Sequence, residues 1–254
     1  MDRLTDIATF YNRLAPEYDL MTGFERRIAS EASLFKSLVD RYAISIALDA
    51  GSGTGFHSVV LAQLGVQVTA LDVSRDMLDQ LERHAREKHL TIRTLCANFL
   101  DIPTSDHASY DAVFCMGNSL PHILSREELR KTIQGFAVVL KPGGALFVQI
   151  LNYDRIMSRR ESIQSVKEAG GKIFVRYYEF GAETLRFNIL TLTRNDAGIR
   201  HSLDSVALRP IFKSELLDLL PDAGLTEPQF FGNIALEPFD TGSSKDLFFI
   251  ARKS

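Results

Sequence analysis

Apolar and polar positions alternate along the chain in two rhythms. Residues 44–48 (ISIAL) are a short apolar run that ends on Asp49 and a glycine cluster, and residues 56–64 then set Val59, Val60, Leu61 and Leu64 at helical spacing. That is strand, turn, helix. Gly65 stops the helix, and residues 66–71 (VQVTAL) form a second β-branched run ending at Asp72. Ser74 is placed to cap a helix reaching Lys88, with Met77, Leu78, Leu81 and Ala85 on one face. Strands are expected again over 91–96, 110–116 and 145–151. A helix over 126–140 lies between the last two, opened by Ser125 and closed by the breaker KPGG. An earlier helix is expected over 24–42.

From Gly171 the pattern changes. Runs at 172–179, 183–193 and 199–208 follow closely, broken by FGAE and NDAG, which is the spacing of hairpins. Helix resumes at 213–220, and strands at 227–231 and 247–251 can return to the first sheet. The expected fold is α/β, with a mostly parallel seven-stranded sheet covered on both faces and an antiparallel β insertion. Residues 1–43 form an N-terminal helical cover, 44–151 and 212–254 the core, and 152–211 an inserted lid.

Composition narrows the class. The 254 residues carry a formal net charge of −3 and are 45% hydrophobic, which excludes a disordered chain, a disulfide-stapled miniprotein and a repeat array. Basic residues cluster only in pairs such as Arg26-Arg27 and Arg159-Arg160, so no nucleic-acid partner is expected. No apolar window approaches the roughly 18 residues of a spanning helix, so no membrane partner is expected either. Cys96 and Cys115 read as buried strand thiols, and the N-terminus lacks the apolar core of a signal peptide. The expected location is cytoplasmic. The histidines and cysteines form neither CxxC nor HxxxH spacing, so no metal site is expected.

The segment ALDAGSGTGFHSVVL carries the chemistry. Gly51, Gly53 and Gly55 fall between the first strand and its helix, where a ligand can lie against bare backbone and main-chain N–H groups point outward. Asp72 ends the neighbouring strand, where a carboxylate can accept both hydroxyls of a ribose. Dinucleotide and S-adenosylmethionine sites share this arrangement. The dinucleotide fingerprint GxGxxG would need a small residue at position 56, and Phe56 stands there.

The GxGxG form preceded by Asp49 resembles the first motif of class I S-adenosylmethionine-dependent methyltransferases. The resemblance implies that Asn98 and Phe99 (in CANFLDI) meet the adenine, and that Met116 lies at the open edge after the fourth strand. Ala97-Asn98-Phe99, Cys115-Met116-Gly117-Asn118-Ser119 ending His122-Ile123, and Asn152-Tyr153-Asp154 are similar to the motifs of glycine and sarcosine N-methyltransferases. It further implies that Arg27 lies near the methionine carboxylate and that Tyr11 and Tyr18 belong to a leader folding over the cofactor. One position departs. Those enzymes have an arginine for the amino-acid carboxylate directly before Asn-Tyr-Asp, and here it is Leu151.

The implied activity is methyl transfer to a small-molecule acceptor, with nitrogen the expected atom. The cofactor is S-adenosyl-L-methionine, and a homo-oligomer is left open. The protein has to align a nucleophile about 3–3.5 Å from the methyl carbon and exclude water. Asn118 and Tyr153 are expected to orient the acceptor under the 152–211 layer. His122 can take its proton or simply pack near the helix at Ser125. His57 is expected to hydrogen-bond locally, and only one of Tyr177 and Tyr178 can face the site. Arg176, Arg186 and Arg209 are candidates to replace the missing arginine, each also readable as a solvated charge. Two other functions stay open: a nicotinamide-dependent oxidoreductase, and a cofactor-binding protein without catalysis.

Overall fold

A computed structural model describes residues 3–195 and 198–254. Two helices, α1 (Arg3–Thr22) and α2 (Phe24–Tyr42), precede β1 (Ile46–Ala50), α3 (Phe56–Gln63), β2 (Gln67–Asp72), α4 (Arg75–Glu87), β3 (Ile92–Cys96) and β4 (Tyr110–Cys115). Next come α5 (Arg126–Val139), β5 (Leu140–Leu151) and α6 (Tyr153–Arg159). Four further strands follow: β6 (Ile163–Ala169), β7 (Lys172–Phe180), β8 (Leu185–Asn195) and β9 (Gly198–Leu208). The described chain closes with α7 (Lys213–Asp222), β10 (Leu225–Phe231) and β11 (Asp246–Lys253).

The larger sheet has the order β10-β11-β5-β4-β1-β2-β3, parallel except at β11, which runs antiparallel to both β5 and β10. Because β1 is central, Ala47 and Leu48 are both fully buried, each feeding the core on a different face. Leu48 joins Val113, Phe136 and Leu146 beneath α5, while Ala47 joins Phe35, Val59, Phe114 and Phe147 beneath α2 and α3. The expected Ser74 cap is present, its Oγ accepting from the Met77 amide at 3.1 Å.

The smaller sheet has the order β6-β7-β8-β9, antiparallel throughout. Its Phe174, Ile189 and Val206 pack on Phe10, Leu14, Ala15 and Met21 of the N-terminal helix, which also meets Met77 of α4. The helix α1 is thus wedged between the two sheets' layers. Asp196 and Ala197 of the expected NDAG break lie outside the described residues.

Three expectations need correction. The helix α5 stops at Val139, just before KPGG as expected, but KPGG itself lies within β5, which starts five residues earlier than expected and where pairing slips from Tyr110↔Leu140 to Ala112↔Ala145. The bulge absorbs a proline that has no N–H to give the ladder. Second, α6 and β6 were not anticipated, since residues 163–169 (IQSVKEA) are exposed or half-buried throughout and show little contrast in polarity. Third, Cys96 is exposed because β3 is an edge strand, whereas Cys115 is buried and its thiol is pushed up by burial. Among the described residues no helix is long and apolar enough to cross a membrane.

Candidate functional site

The glycine loop leaves the C-terminal end of β1 and is tied to β2 at once. The amides of Gly51 and Ser52 both donate to the Leu71 carbonyl, at 2.8 and 3.0 Å. Asp72 then accepts from the Gly53 amide through Oδ2 at 2.8 Å and from the Ser74 amide through Oδ1 at 2.9 Å. Burial pushes the Asp72 pKa up, and these amides pull part of the way back. The carboxylate is held still at the edge of the loop.

The glycines have different duties. A Cβ on Gly53 would meet only the edge of the Tyr18 ring, at 4.0 Å, so this residue borders open space. A Cβ on Gly55 would lie 2.4 Å from Leu81 Cγ, so bare backbone here lets α3 approach α4. Gly55 does not line the cavity, and neither does Asp49. Asp49 is buried behind the loop, accepting from the Ser58 hydroxyl at 2.6 Å, and its pKa is pushed up to about 7 by burial.

Next to the loop is a cavity of about 350 Å³. Gly51, Gly53, Asp72, Asn98, Phe99 and Met116 of the expected cofactor set line it, as do Tyr11, Tyr18 and Arg27. Tyr11 and Tyr18 sit two turns apart on α1 and so face the same way. That helix is pinned from α4. His84 reaches the Thr54 carbonyl with Nδ1 at 3.0 Å and the Asp19 carboxylate with Nε2 at 2.9 Å. Burial would lower the His84 pKa, but Asp19 and the Thr54 carbonyl outweigh it and raise it. The Asn12 side chain accepts from the Ser74 hydroxyl at 2.5 Å, a second tie. Arg27 stacks over the Phe56 ring at 3.8 Å and is met by Glu31 at 2.8 Å.

The far wall comes from the turns after β3 and β4. The Asn98 side chain is used within its own turn, accepting from the Leu100 amide at 2.6 Å and donating to Asp101. His122 lines the cavity with its Nε2 2.8 Å from the Tyr11 hydroxyl, while its Nδ1 is buried without a partner among the described residues. Burial lowers its pKa to about 4. His57 also lines the cavity, packed edge-on against Phe56 and tilted against Phe35.

Several lining residues escaped the sequence reading. Ser52, Ser119 and Thr132 reach the cavity. Thr132 sits in the buried stripe of α5 with Leu129, Ile133 and Phe136, and a lone hydroxyl in an apolar stripe is the signal that could have found it. The hydroxyls of Ser52 and Thr132 are buried with no partner among the described residues.

Asn118 and Tyr153 come together, but outside the cavity wall. Asn118 Nδ2 donates to the Tyr153 hydroxyl at 2.9 Å, and its Oδ1 accepts from the Leu151 amide at 3.0 Å. Tyr153 is buried, directly after Asn152, whose side chain caps α6 and holds the 240–244 turn. Of the tyrosine pair, Tyr178 is buried and Tyr177 half-buried. Arg186 is exposed as a solvated charge. Arg209 is not, being paired with Glu215 at 3.0 Å with both side chains largely covered. Arg176 is half-buried.

The residues fit the cofactor: a fixed carboxylate beside a loop left bare of side chains at Gly51 and Gly53, an aromatic and thioether wall in Phe99 and Met116, and the orphaned Ser52 and Thr132 hydroxyls all border one cavity. A glycine loop at the carboxyl edge of a sheet whose last strand pair is antiparallel defines the class I methyltransferase fold. Residues 47–144 match the family model for a methyltransferase domain. The chain is 27% identical to a glycine/sarcosine N-methyltransferase of Parasynechococcus marenigrum over 85% of its own length and 75% of that protein's. It is 34% identical to another, from Aphanothece halophytica, over 56% of its own length and 53% of the relative's. It therefore spans three quarters of the first of these relatives and about half of the second. A crystal structure of an S-adenosylmethionine-dependent methyltransferase from Clostridium acetobutylicum shares the fold, with a TM-score of 0.81 at 16% identity over 96% of this chain and 99% of that one. Residues 47–144 are thus a methyltransferase domain, and the chain carries it in the class I S-adenosylmethionine-dependent methyltransferase fold.

Proposed function

We propose that this enzyme methylates the nitrogen of a small amine. The observation that carries the reading is the His122–Tyr11 pair in the far wall of the cavity: His122, held well below its usual pKa, lines the cavity uncharged and is bonded to Tyr11. When bound, S-adenosylmethionine supplies a methyl group already activated on a positive sulfur. A neutral imidazole and phenol beside that position add no second cation, and they can accept hydrogen bonds from an amine that must arrive unprotonated to attack. The names of the two relatives support nitrogen as the acceptor atom.

Each part of the chain has a role in this reading. Asp72 receives the ribose hydroxyls, Asn98, Phe99 and Met116 surround the adenine, and Arg27 lies toward the methionine end. Residues 1–43 and 152–211 act as cover and lid over a core of 44–151 and 212–254. Asn118 and Tyr153 orient the acceptor indirectly, by fixing the end of β5 beneath that lid.

Three measurements test this. S-adenosylhomocysteine should raise the melting temperature and NAD should not. Asp72→Asn should weaken S-adenosylhomocysteine by about tenfold or more, the scale of a hydrogen bond to a charged group. In a panel of amines, phenols and thiols followed by S-adenosylhomocysteine release, only amines should turn over. Turnover of phenols alone would transfer the reading to oxygen.

A further inference from the structure

Both faces of the smaller sheet carry apolar side chains, and α1 covers one of them, packing on Phe174, Ile189 and Val206. On the reverse face, strand pairing sets Val166 of β6 against Val175 of β7, Val175 against Leu190 of β8, and Leu190 against Leu203 of β9. Paired residues share a face, so these four make one aliphatic row across the whole sheet. None of the four joins a core cluster of the described residues. Val166 is 64% and Leu203 51% exposed, while Val175 and Leu190 on the inner strands are half-buried. The next row pairs Ile173 with Leu192 and ends in two exposed residues, Glu168 on β6 and His201 on β9. A solvated sheet face ordinarily alternates to polar residues, and a contiguous apolar patch on it marks a contact surface.

Size and charge select the occupant. Four strands about 4.8 Å apart, the longest of them 11 residues at about 3.3 Å each, make a face of about 700 Å². A stable interface covers about 800 Å² on each partner, so this face has the extent of a protein contact. Turned about a twofold axis parallel to its strands, it meets a copy of itself with β6 over β9 and β7 over β8. Val166 then faces the partner's Leu203, Val175 the partner's Leu190, and Ile173 the partner's Leu192. The charged ends also match: Glu168 faces the partner's His201, and Glu179, paired in register with Arg186, faces the partner's Arg186. Every contact occurs twice by symmetry, and no like charges are opposed. Glu168 and Glu179 on the same face repel an anionic lipid surface.

We infer that the outer face of the smaller sheet binds a second copy of this chain, the two sheets packing face to face about a twofold axis along the strands, with the Val166–Val175–Leu190–Leu203 rows as the centre of the contact. Sheets stacked in this way keep their strands within about 30° of one another. The inserted sheet is then held on both sides, by α1 on its inner face and by the partner on its outer one, and the cofactor cavity stays clear of the contact because none of these residues lines it. The inference stands apart from the proposed amine methylation and is tested without cofactor or substrate.

Sedimentation velocity of the full chain over about 1–100 μM should show a monomer–dimer equilibrium. Val166→Glu and Leu203→Glu, made singly at positions on opposite edges of the sheet, should each weaken the dimer about a hundredfold, since each buried carboxylate occurs twice in it. The double variants then read the register. Val166→Glu with Leu203→Glu opposes like charges and should leave only monomer, whereas Val166→Glu with Leu203→Lys opposes unlike ones and should recover about tenfold, less so in high salt. Melting temperatures within a few degrees of the wild type show that the variants fold; should a charged variant fail to fold, Val166→Ser and Leu203→Ser replace it, each with an expected loss of about tenfold. A wild type that stays monomeric throughout overturns the inference, and so does a monomer that binds phosphatidylcholine vesicles through Val166 and Leu203. A dimer insensitive to both single variants lies elsewhere on the molecule, and one sensitive to a single edge is paired edge to edge; either result overturns the face-to-face contact. Equal weakening in the two double variants overturns the twofold arrangement.

Discussion

Tyr11 on the first helix and His122 after β4 meet at 2.8 Å across the roof of the cofactor cavity, 111 residues apart in the chain. Their rings also cross edge-on, with centroids 5.4 Å apart. This contact couples closure of α1 to the loop that carries Met116 and Ser119. Tyr11→Phe keeps the ring's packing on Phe10 and Tyr18 but leaves the buried His122 nitrogen unpaired, at a cost of about 1–3 kcal/mol. The variant should unfold at lower urea and bind S-adenosylhomocysteine about tenfold more weakly. A double-mutant cycle with His122→Phe should return a coupling of about 1 kcal/mol, and additivity would show that the pair does not act together.

The pH dependence of stability should hide two opposed slopes. His122 has a folded pKa of about 4, below its unfolded value, so the fold keeps it neutral; its contribution is complete above about pH 6.5 and lost as pH falls toward 4. That amounts to about 3 kcal/mol. Asp49, pushed up to about 7, works in the other direction: its protonated form suits the interior, so stability falls as pH rises from about 4 to 7. Wild-type stability should vary little across this range. Asp49→Asn keeps an oxygen for the Ser58 hydroxyl and removes one slope, so urea unfolding should then show stability rising steadily from pH 4 to 6.5. His122→Gln should show the reverse trend.

Gly53 and Gly55 should separate binding from folding. Gly55→Ala drives a methyl into Leu81 at a residue with φ of 88°, and overpacking of this kind costs about 1–3 kcal/mol before the backbone strain is added. Leu81→Ala should recover part of that loss in the double variant. Gly53→Ala has room for its methyl, with φ of 55°, so stability should fall by only about 1 kcal/mol. The methyl instead occupies the border of the cavity, so S-adenosylhomocysteine affinity should fall further than stability does. Equal losses of both quantities in the two variants would contradict this division.

The parallel core was legible because its strands contain short apolar runs, those of β1 and β2 ending at Asp49 and Asp72, and the expected helix over 24–42 coincides with α2 (Phe24–Tyr42). Local periodicity could say this much because each element buries a face of its own. It said less about α1, where Pro16 interrupts the pattern inside the helix, and nothing of β6, whose residues are all partly solvated. The site divides in the same way. Asp72 and Gly53 declare themselves by position in a motif, whereas Asp49 and Gly55 belong to that motif yet stand behind the loop and serve its packing. Thr132 and Arg176 depend on contacts between distant strands and helices. A single arginine in a β-rich run reads alike whether it faces solvent or the interior, until the partner sheet is known.

Asn118 offers the sharpest test of how the acceptor is oriented. It adopts a φ of 66°, which asparagine tolerates better than most residues, while its side chain holds the Leu151 amide and the Tyr153 hydroxyl. Asn118→Ala loses both bonds and keeps the strain, so urea unfolding should register a loss of about 2–4 kcal/mol. Asn118→Gly loses the same bonds but relieves the strain, recovering about 1 kcal/mol. Tyr153→Phe should cost about 1 kcal/mol, since only one partner is withdrawn. The kinetic comparison then distinguishes scaffold from site. If the end of β5 positions the acceptor, Asn118→Gly should show a raised KM for the amine with S-adenosylhomocysteine affinity unchanged, in spite of its recovered stability. Unchanged turnover in both Asn118→Ala and Tyr153→Phe would leave these residues with the fold alone.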